Sequence, residues 1–201
     1  MANNLGELTI VRKTGKEPFR DGNSELGFDL HSFWQWSTSD VVSNATRGVI
    51  AEYIVARQLG MGTEGARDEW AAYDLDTPSG VKVEVKSAAF VQSWHQNKLS
   101  EISFRTPKTR AWDASTNRQS QETKRQADVY VFALLAHREK LTIDPLDVEQ
   151  WQFYVLPTVV LNERTRIQYS ITLPTLRELA GQLRFDDLQL AVEEAATKKA
   201  L

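Results

Sequence analysis

The chain has 201 residues, 41% apolar and 25% charged, with a net charge of −3, which suits one globular domain with a real core and argues against disorder or a protein that wraps nucleic acid all round. It has no cysteine and only three histidines, His31, His95 and His137, which excludes disulfides, thiol nucleophiles and Cys-based zinc sites and leaves no imidazole pair at metal-ligand spacing. The N-terminus lacks the apolar segment of a signal peptide and the longest apolar run, 129–136, is too short to span a bilayer, so a cytoplasmic protein without a membrane partner is expected.

Residues 1–39 read as an N-terminal extension packed on the core. LTIVRK, 8–13, suggests a short strand, and SFWQWSTSD follows a turn-rich stretch. Its Trp34 and Trp36 suit core or lid packing better than base stacking. Residues 40–59 read as a helix, with Ala45, Val49, Tyr53, Ala56 and Leu59 near helical spacing, Asp40 or Ser43 as the cap and Gly60 as the stop. Glu52 falls on that apolar stripe, where a carboxylate needs a partner, a task or a way to water. GMGTEG, 60–65, has dinucleotide-fingerprint spacing but follows a helix and precedes a loop, so it is read as a helix stop and loop.

YDLDTPSGVKVEVKS, 73–87, carries the strongest local signal. Pro78-Ser79-Gly80 suits a three-residue hairpin loop, which pairs Thr77 with Val81, Asp76 with Lys82, Leu75 with Val83 and Asp74 with Glu84. Alternation then puts Tyr73, Leu75, Val81, Val83 and Val85 on a core face and Asp74, Asp76, Lys82, Glu84 and Lys86 on the other. Cross-strand neighbours stand about 5 Å apart, where two carboxylates repel by about 3 kcal/mol at an effective dielectric near 20. Protonation, splaying of the strands or a divalent cation between them would relieve Asp74 and Glu84. The alternative is an ordinary solvated hairpin face.

SEISFRT, 100–106, reads as a third strand, and a short helix is expected around SQETKRQ, 120–126. Between 105 and 125 stand six basic residues (Arg105, Lys108, Arg110, Arg118, Lys124, Arg125) against Asp113 and Glu122; this is either a phosphate-facing surface or a solvated loop. ADVYVFALLA, 127–136, is apolar enough to be a central strand. WQFYVLPTVVL, 151–161, is another, broken at Pro157. Two helices close the chain, one from near Thr172-Leu173-Pro174 and one after Asp186 or Asp187. Residues 40–160 thus form the core and 161–201 a helical extension, within one α/β domain overall.

The pieces RGVIAEYIVARQLG, YDL and VEVKSA, followed by ADVYVFALLA, resemble the PD-(D/E)xK nuclease superfamily over roughly residues 40–160. The resemblance implies a restriction-endonuclease-like core, an αβββαβ order with a central mixed sheet flanked by helices, and hydrolysis of DNA phosphodiesters with Mg²⁺ or Mn²⁺. It assigns Asp74, Glu84 and Lys86 as catalytic, and Glu52, Asp74 and Glu84 as metal ligands. The Pro that precedes the first Asp in the family pattern is Tyr73 here, and Asp76 competes with Asp74 for the ligand role. Gln92 falls on the Lys86 face if the strand persists, and resembles a polar residue some of these nucleases carry beyond the motif. The six basic residues are candidates for backbone contacts, Trp94 and Trp112 for stacking, and cleavage of both strands would call for a homodimer. The rival reading is a nuclease-like fold that no longer cuts and serves as a DNA-binding or protein-interaction module.

Overall fold

The computed structural model describes residues 5–165 and 169–198. At its centre is a four-stranded mixed sheet in the order β3 (Leu75–Asp76), β4 (Lys82–Ala89), β8 (Val129–Leu135), β9 (Trp151–Pro157). The first and last pairings are antiparallel; β4 and β8 run parallel, from Val83 opposite Val129 to Ala89 opposite Leu135. Every residue of β8 is buried, as its continuous apolar sequence predicts for a strand covered on both faces.

The pleat of the sheet divides the core in two. On one face Val83, Val85, Val129, Val131 and Phe153 pack under helix α2 (Asn44–Gln58) and the C-terminal helix α5 (Leu188–Ala196). On the other, Tyr130, Phe132, Leu134, Tyr154 and Leu156 are covered by Phe104, Leu161, Ile171 and Leu176. These come from β5 (Ser103–Arg105), β10 (Ser170–Thr172), α3 (Thr158–Glu163) and α4 (Leu173–Leu179).

Helix α2 begins where the sequence indicates: Ser43 Oγ accepts the Thr46 N–H, and Gly60 follows with φ +67°, a left-handed conformation suited to Gly after a helix. The face it buries is rotated from the expected one. Arg47, Ala51, Val55 and Ala56 are buried, whereas Val49 and Tyr53 are exposed. The 73–87 hairpin forms in the expected register, with Leu75 opposite Val83 and Asp76 opposite Lys82. Gly80, at φ +79°, donates its N–H to Thr77 O at 2.8 Å. Leu75, Val83 and Val85 are buried as expected, but Tyr73 packs against the opposite cluster.

Other expectations are corrected. LTIVRK is not a strand; the N-terminal hairpin is β1 (Pro18–Asp21) with β2 (Ser24–Asp29), followed by α1 (Leu30–Thr38). No residue of α1 is buried and Trp36 is 84% exposed, so Trp34 and Trp36 do not form core. The strand expected from SEISFRT exists as β5 but pairs with β10, outside the central sheet. SQETKRQ forms no helix. That region holds the hairpin β6 (Trp112–Asp113) and β7 (Arg118–Gln119), turning through Asn117 at φ +52°, and a bridge between Thr109 and Lys124. The crossover from β4 to β8 therefore runs through strands and loops, without the second core helix of an αβββαβ order. The architecture is mixed α/β, with a central mixed sheet flanked by helices.

Candidate active site

The open edge of the sheet is the two-residue strand β3, and the charged residues of the 73–87 hairpin gather there. The ladder stops at Leu75, and Asp74 stands just beyond it. Asp74 Oδ2 accepts the Val85 N–H at 2.7 Å, so a side-chain oxygen takes the place that a main-chain carbonyl would hold in a longer strand. Glu84 turns to Lys86, whose ammonium pairs with Glu84 Oε1. Both side chains are largely covered, at 19% and 29% exposure. The repulsion expected between Asp74 and Glu84 is thus eased in two ways: the strands part after Leu75, and each carboxylate has a donor.

The easing is incomplete. Burial first, and then the charges of Asp74 and Glu52, raise the pKa of Glu84 above its ordinary value, while Lys86 pulls it down. Desolvation of the ionised form is thus the main reason that Glu84 stays high beside a lysine, with the two neighbouring carboxylates adding to it.

Glu52 reaches this edge from α2, with its side chain 14% exposed. Its carboxylate is held in a two-pronged contact by Arg67, Nε to Oε2 and, at 3.2 Å, Nη2 to Oε1. The bond to Glu52 raises the Arg67 pKa further, with Asp74 adding to it. Arg67 belongs to the loop after Gly60. That loop, α2 and β3 enclose a cleft of about 490 Å³ lined by Glu52, Tyr53, Arg67, Asp74 and Asp76. A second cleft, of about 200 Å³, opens beside Glu84 and Lys86, with Arg105, Thr109, Gln126 and Tyr130 in its walls. The acidic edge therefore lies between two openings.

The remaining candidates scatter. Asp76 is exposed and accepts from the Tyr73 hydroxyl at 3.2 Å, opposite Lys82 rather than Glu84. Gln92 is not beside Lys86: β4 ends at Ala89, and Gln92 is buried, bonded to Ala89 O, Ser100 Oγ and Arg47 Nη1. Arg105, Lys108, Arg110, Arg118 and Lys124 are exposed. Arg110 donates to Ser120 O and Lys124 pairs with Glu122. Arg125 is buried, donating to Thr106 O at 3.1 Å and Asn162 Oδ1 at 2.6 Å, and so faces the interior. Trp112 packs on Trp70, ring centres 5.2 Å apart, and Trp94 is half exposed.

Three neighbours of the site were not singled out in the sequence. Arg67 looked like one charge among several in a polar loop. Arg47, buried in α2, donates to Ser87 Oγ next to Lys86, and to Val42 O, Asn44 Oδ1 and Gln92 Oε1. Tyr130 was absorbed in an apolar run, although it is the only residue of β8 with a polar tip. It stands opposite Glu84 in the parallel register.

Among the described residues no three acidic or imidazole groups form a ready-made metal cage. The edge instead offers two oxygen-donor carboxylates, Asp74 and the largely covered Glu84, with Glu52 clasped by Arg67. That set suits a hard cation that keeps several waters and takes only one or two carboxylates from protein.

No curated protein matches the chain. A family model does: that of bacteriophage T4 endonuclease IV matches residues 30–173, from α1 to the start of α4, and includes the whole acidic edge and both clefts. The match spans well over half of the sequence, and the chain belongs to the bacteriophage T4 endonuclease IV family.

Proposed function

We propose that the protein is an endonuclease that hydrolyses phosphodiester bonds in DNA, with PD-(D/E)xK-type chemistry at the β3–β4 edge. The observation that carries this reading is the meeting of Asp74 with the largely buried Glu84–Lys86 pair between two clefts. Membership of an endonuclease family supports it from a separate direction.

Asp74 and Glu84 would hold Mg²⁺ or Mn²⁺, with Glu52 joining them if Arg67 releases it. Bound there, the ion would supply a water of lowered pKa and offset charge on the scissile phosphate. Asp74 keeps its orientation through the Val85 N–H, which engages one of its two oxygens. Lys86 holds its ammonium beside Glu84, where it can orient an attacking water and balance negative charge developing on phosphate. Arg105, Lys108, Arg110, Arg118 and Lys124 offer a cationic approach to the backbone. Arg125 is omitted from that set because its guanidinium points inward.

The test is cleavage of supercoiled plasmid and of linear single- and double-stranded DNA, with Mg²⁺, Mn²⁺ or EDTA. Cutting that needs the metal and vanishes in both Glu84→Ala and Lys86→Ala is the expected result. Undiminished cutting by both variants would remove the site from this edge. Lys86→Ala should lose far more activity than affinity for DNA in EDTA, which separates a chemical role from a binding one.

A further inference from the structure

The second cleft contains a group that the scheme above does not use. Tyr130 is only 3% exposed. Its place opposite Glu84 in the parallel register raises its side chain on the face that carries Glu84 and Lys86. The ring is fixed against Phe132, with centres 6.1 Å apart. The hydroxyl, by contrast, has no hydrogen-bond partner among the described residues and is not sealed off, since Tyr130 lines the cleft. A tyrosine buried to this degree ordinarily satisfies its O–H within the protein; this one can do so only through the cleft, with water or with a group that displaces it.

The walls indicate what that is. Lys86 and Arg105 contribute positive charge, and Arg105 makes no ion pair among the described residues. The Glu84 carboxylate, the one acidic wall, is engaged by Lys86. Gln126 donates to Thr109 O at 2.9 Å, which ties together two residues of the cleft wall. At about 200 Å³ the cleft is smaller than the roughly 300 Å³ at which pockets for drug-sized ligands begin, and it suits a compact anion with some of its waters. A neutral hydroxyl donor beside a free guanidinium is a fitting pair of ligands for phosphate oxygens.

We propose that this cleft is a second phosphate subsite, in which the Tyr130 hydroxyl and the Arg105 guanidinium hold the backbone phosphate adjoining the one cleaved beside Lys86. The proposal rests on the nuclease reading and gives Tyr130 a binding role. The subsite would fix the register of the strand, so that one particular bond lies at the acidic edge.

The experiment measures binding of a short labelled oligonucleotide to the full chain in EDTA, where cleavage does not interfere. Tyr130→Phe, which removes one oxygen, should weaken binding about five- to tenfold without changing its salt dependence. Arg105→Gln should weaken it as well and flatten the slope of log K against log salt by about 0.7 to 0.9, one phosphate contact. Single phosphates are then replaced by neutral methylphosphonates along the strand. At one position the replacement should weaken the wild type and add nothing to the loss in either variant. Wild-type affinity in Tyr130→Phe, or an equal further loss at every position, overturns the subsite and leaves the nuclease reading standing. Failure of the wild type to bind any DNA overturns both. Melting curves show whether Tyr130→Phe is folded; if it is not, Arg105→Gln and the methylphosphonate scan decide by the same criterion.

Discussion

The proposed role makes two incompatible demands on Glu84. To hold a cation it would have to be ionised, yet burial and the charges of Asp74 and Glu52 favour its protonated form. The folded protein therefore binds that proton more tightly than the unfolded chain does, and stability falls as pH rises from the ordinary glutamate value, 4.5, through the raised one. Glu84→Gln should consequently lower cleavage by at least about 100-fold, the scale of losing one transition-state contact, while raising the melting temperature at neutral pH. The gain in melting temperature should fade once the pH is below 4.5. Parallel melting curves across that range check this; a variant that melts lower than wild type at neutral pH would contradict it. Activity should also rise with pH through the raised Glu84 pKa, so cutting is lost in mild acid where an ordinary carboxylate would still be ionised. A site that costs stability in order to work is a common arrangement in enzymes.

Between α2 and β4 the contacts are polar as well as apolar. Arg47 ties the helix to Ser87, one residue after Lys86, and also binds Asn44, Gln92 and the Val42 carbonyl. Arg47→Met keeps the length of the side chain and leaves those acceptors unsatisfied, so it should cost about 1–3 kcal/mol, read from denaturant unfolding. Arg47→Lys should not restore it, because an ammonium cannot reproduce the spread of the guanidinium. Elements of this kind show what was legible in the sequence. The 73–87 hairpin was readable because Pro-Ser-Gly and strict alternation fix a register locally. β8 was readable because seven apolar residues in a row leave few alternatives. The exposed faces of α2 and α1 were not, since a helical stripe fixes spacing but not which neighbour arrives. SQETKRQ looked helical by residue type, yet the turn at Asn117 and the Thr109–Lys124 bridge hold that segment extended. Gln92 was misplaced for a similar reason: the strand that would have carried it beside Lys86 stops three residues earlier. The pairing of Asp74 with Glu84 and Lys86 was legible because these residues lie within one hairpin; Arg67 and Tyr130 reach them only through the fold.

The family match ends at residue 173, but the core does not. Leu188, Val192 and Ala195 of α5 lie on the same face of the sheet as α2, and Leu183 bonds to Phe153 through both backbone groups. Removing residues 181–201 would uncover that face, including two large side chains worth about 1.5–3 kcal/mol each. The shortened chain should melt at least several degrees lower or fail to remain soluble, and one that melts like the full chain would show that α5 is dispensable.

The parallel pairing of β4 with β8 has a consequence in time. Val83 meets Val129 from 46 positions away along the chain, with no helix between them to shorten the search. Ordering that crossover must come before its contacts repay the lost entropy. The central sheet should therefore assemble on the millisecond-to-second scale of non-local topologies, and β8, the most apolar segment, would meanwhile be without its partners. Stopped-flow refolding at several protein concentrations should show a slow phase whose yield falls as concentration rises, because during that interval the strand can pair with another copy instead of with β4.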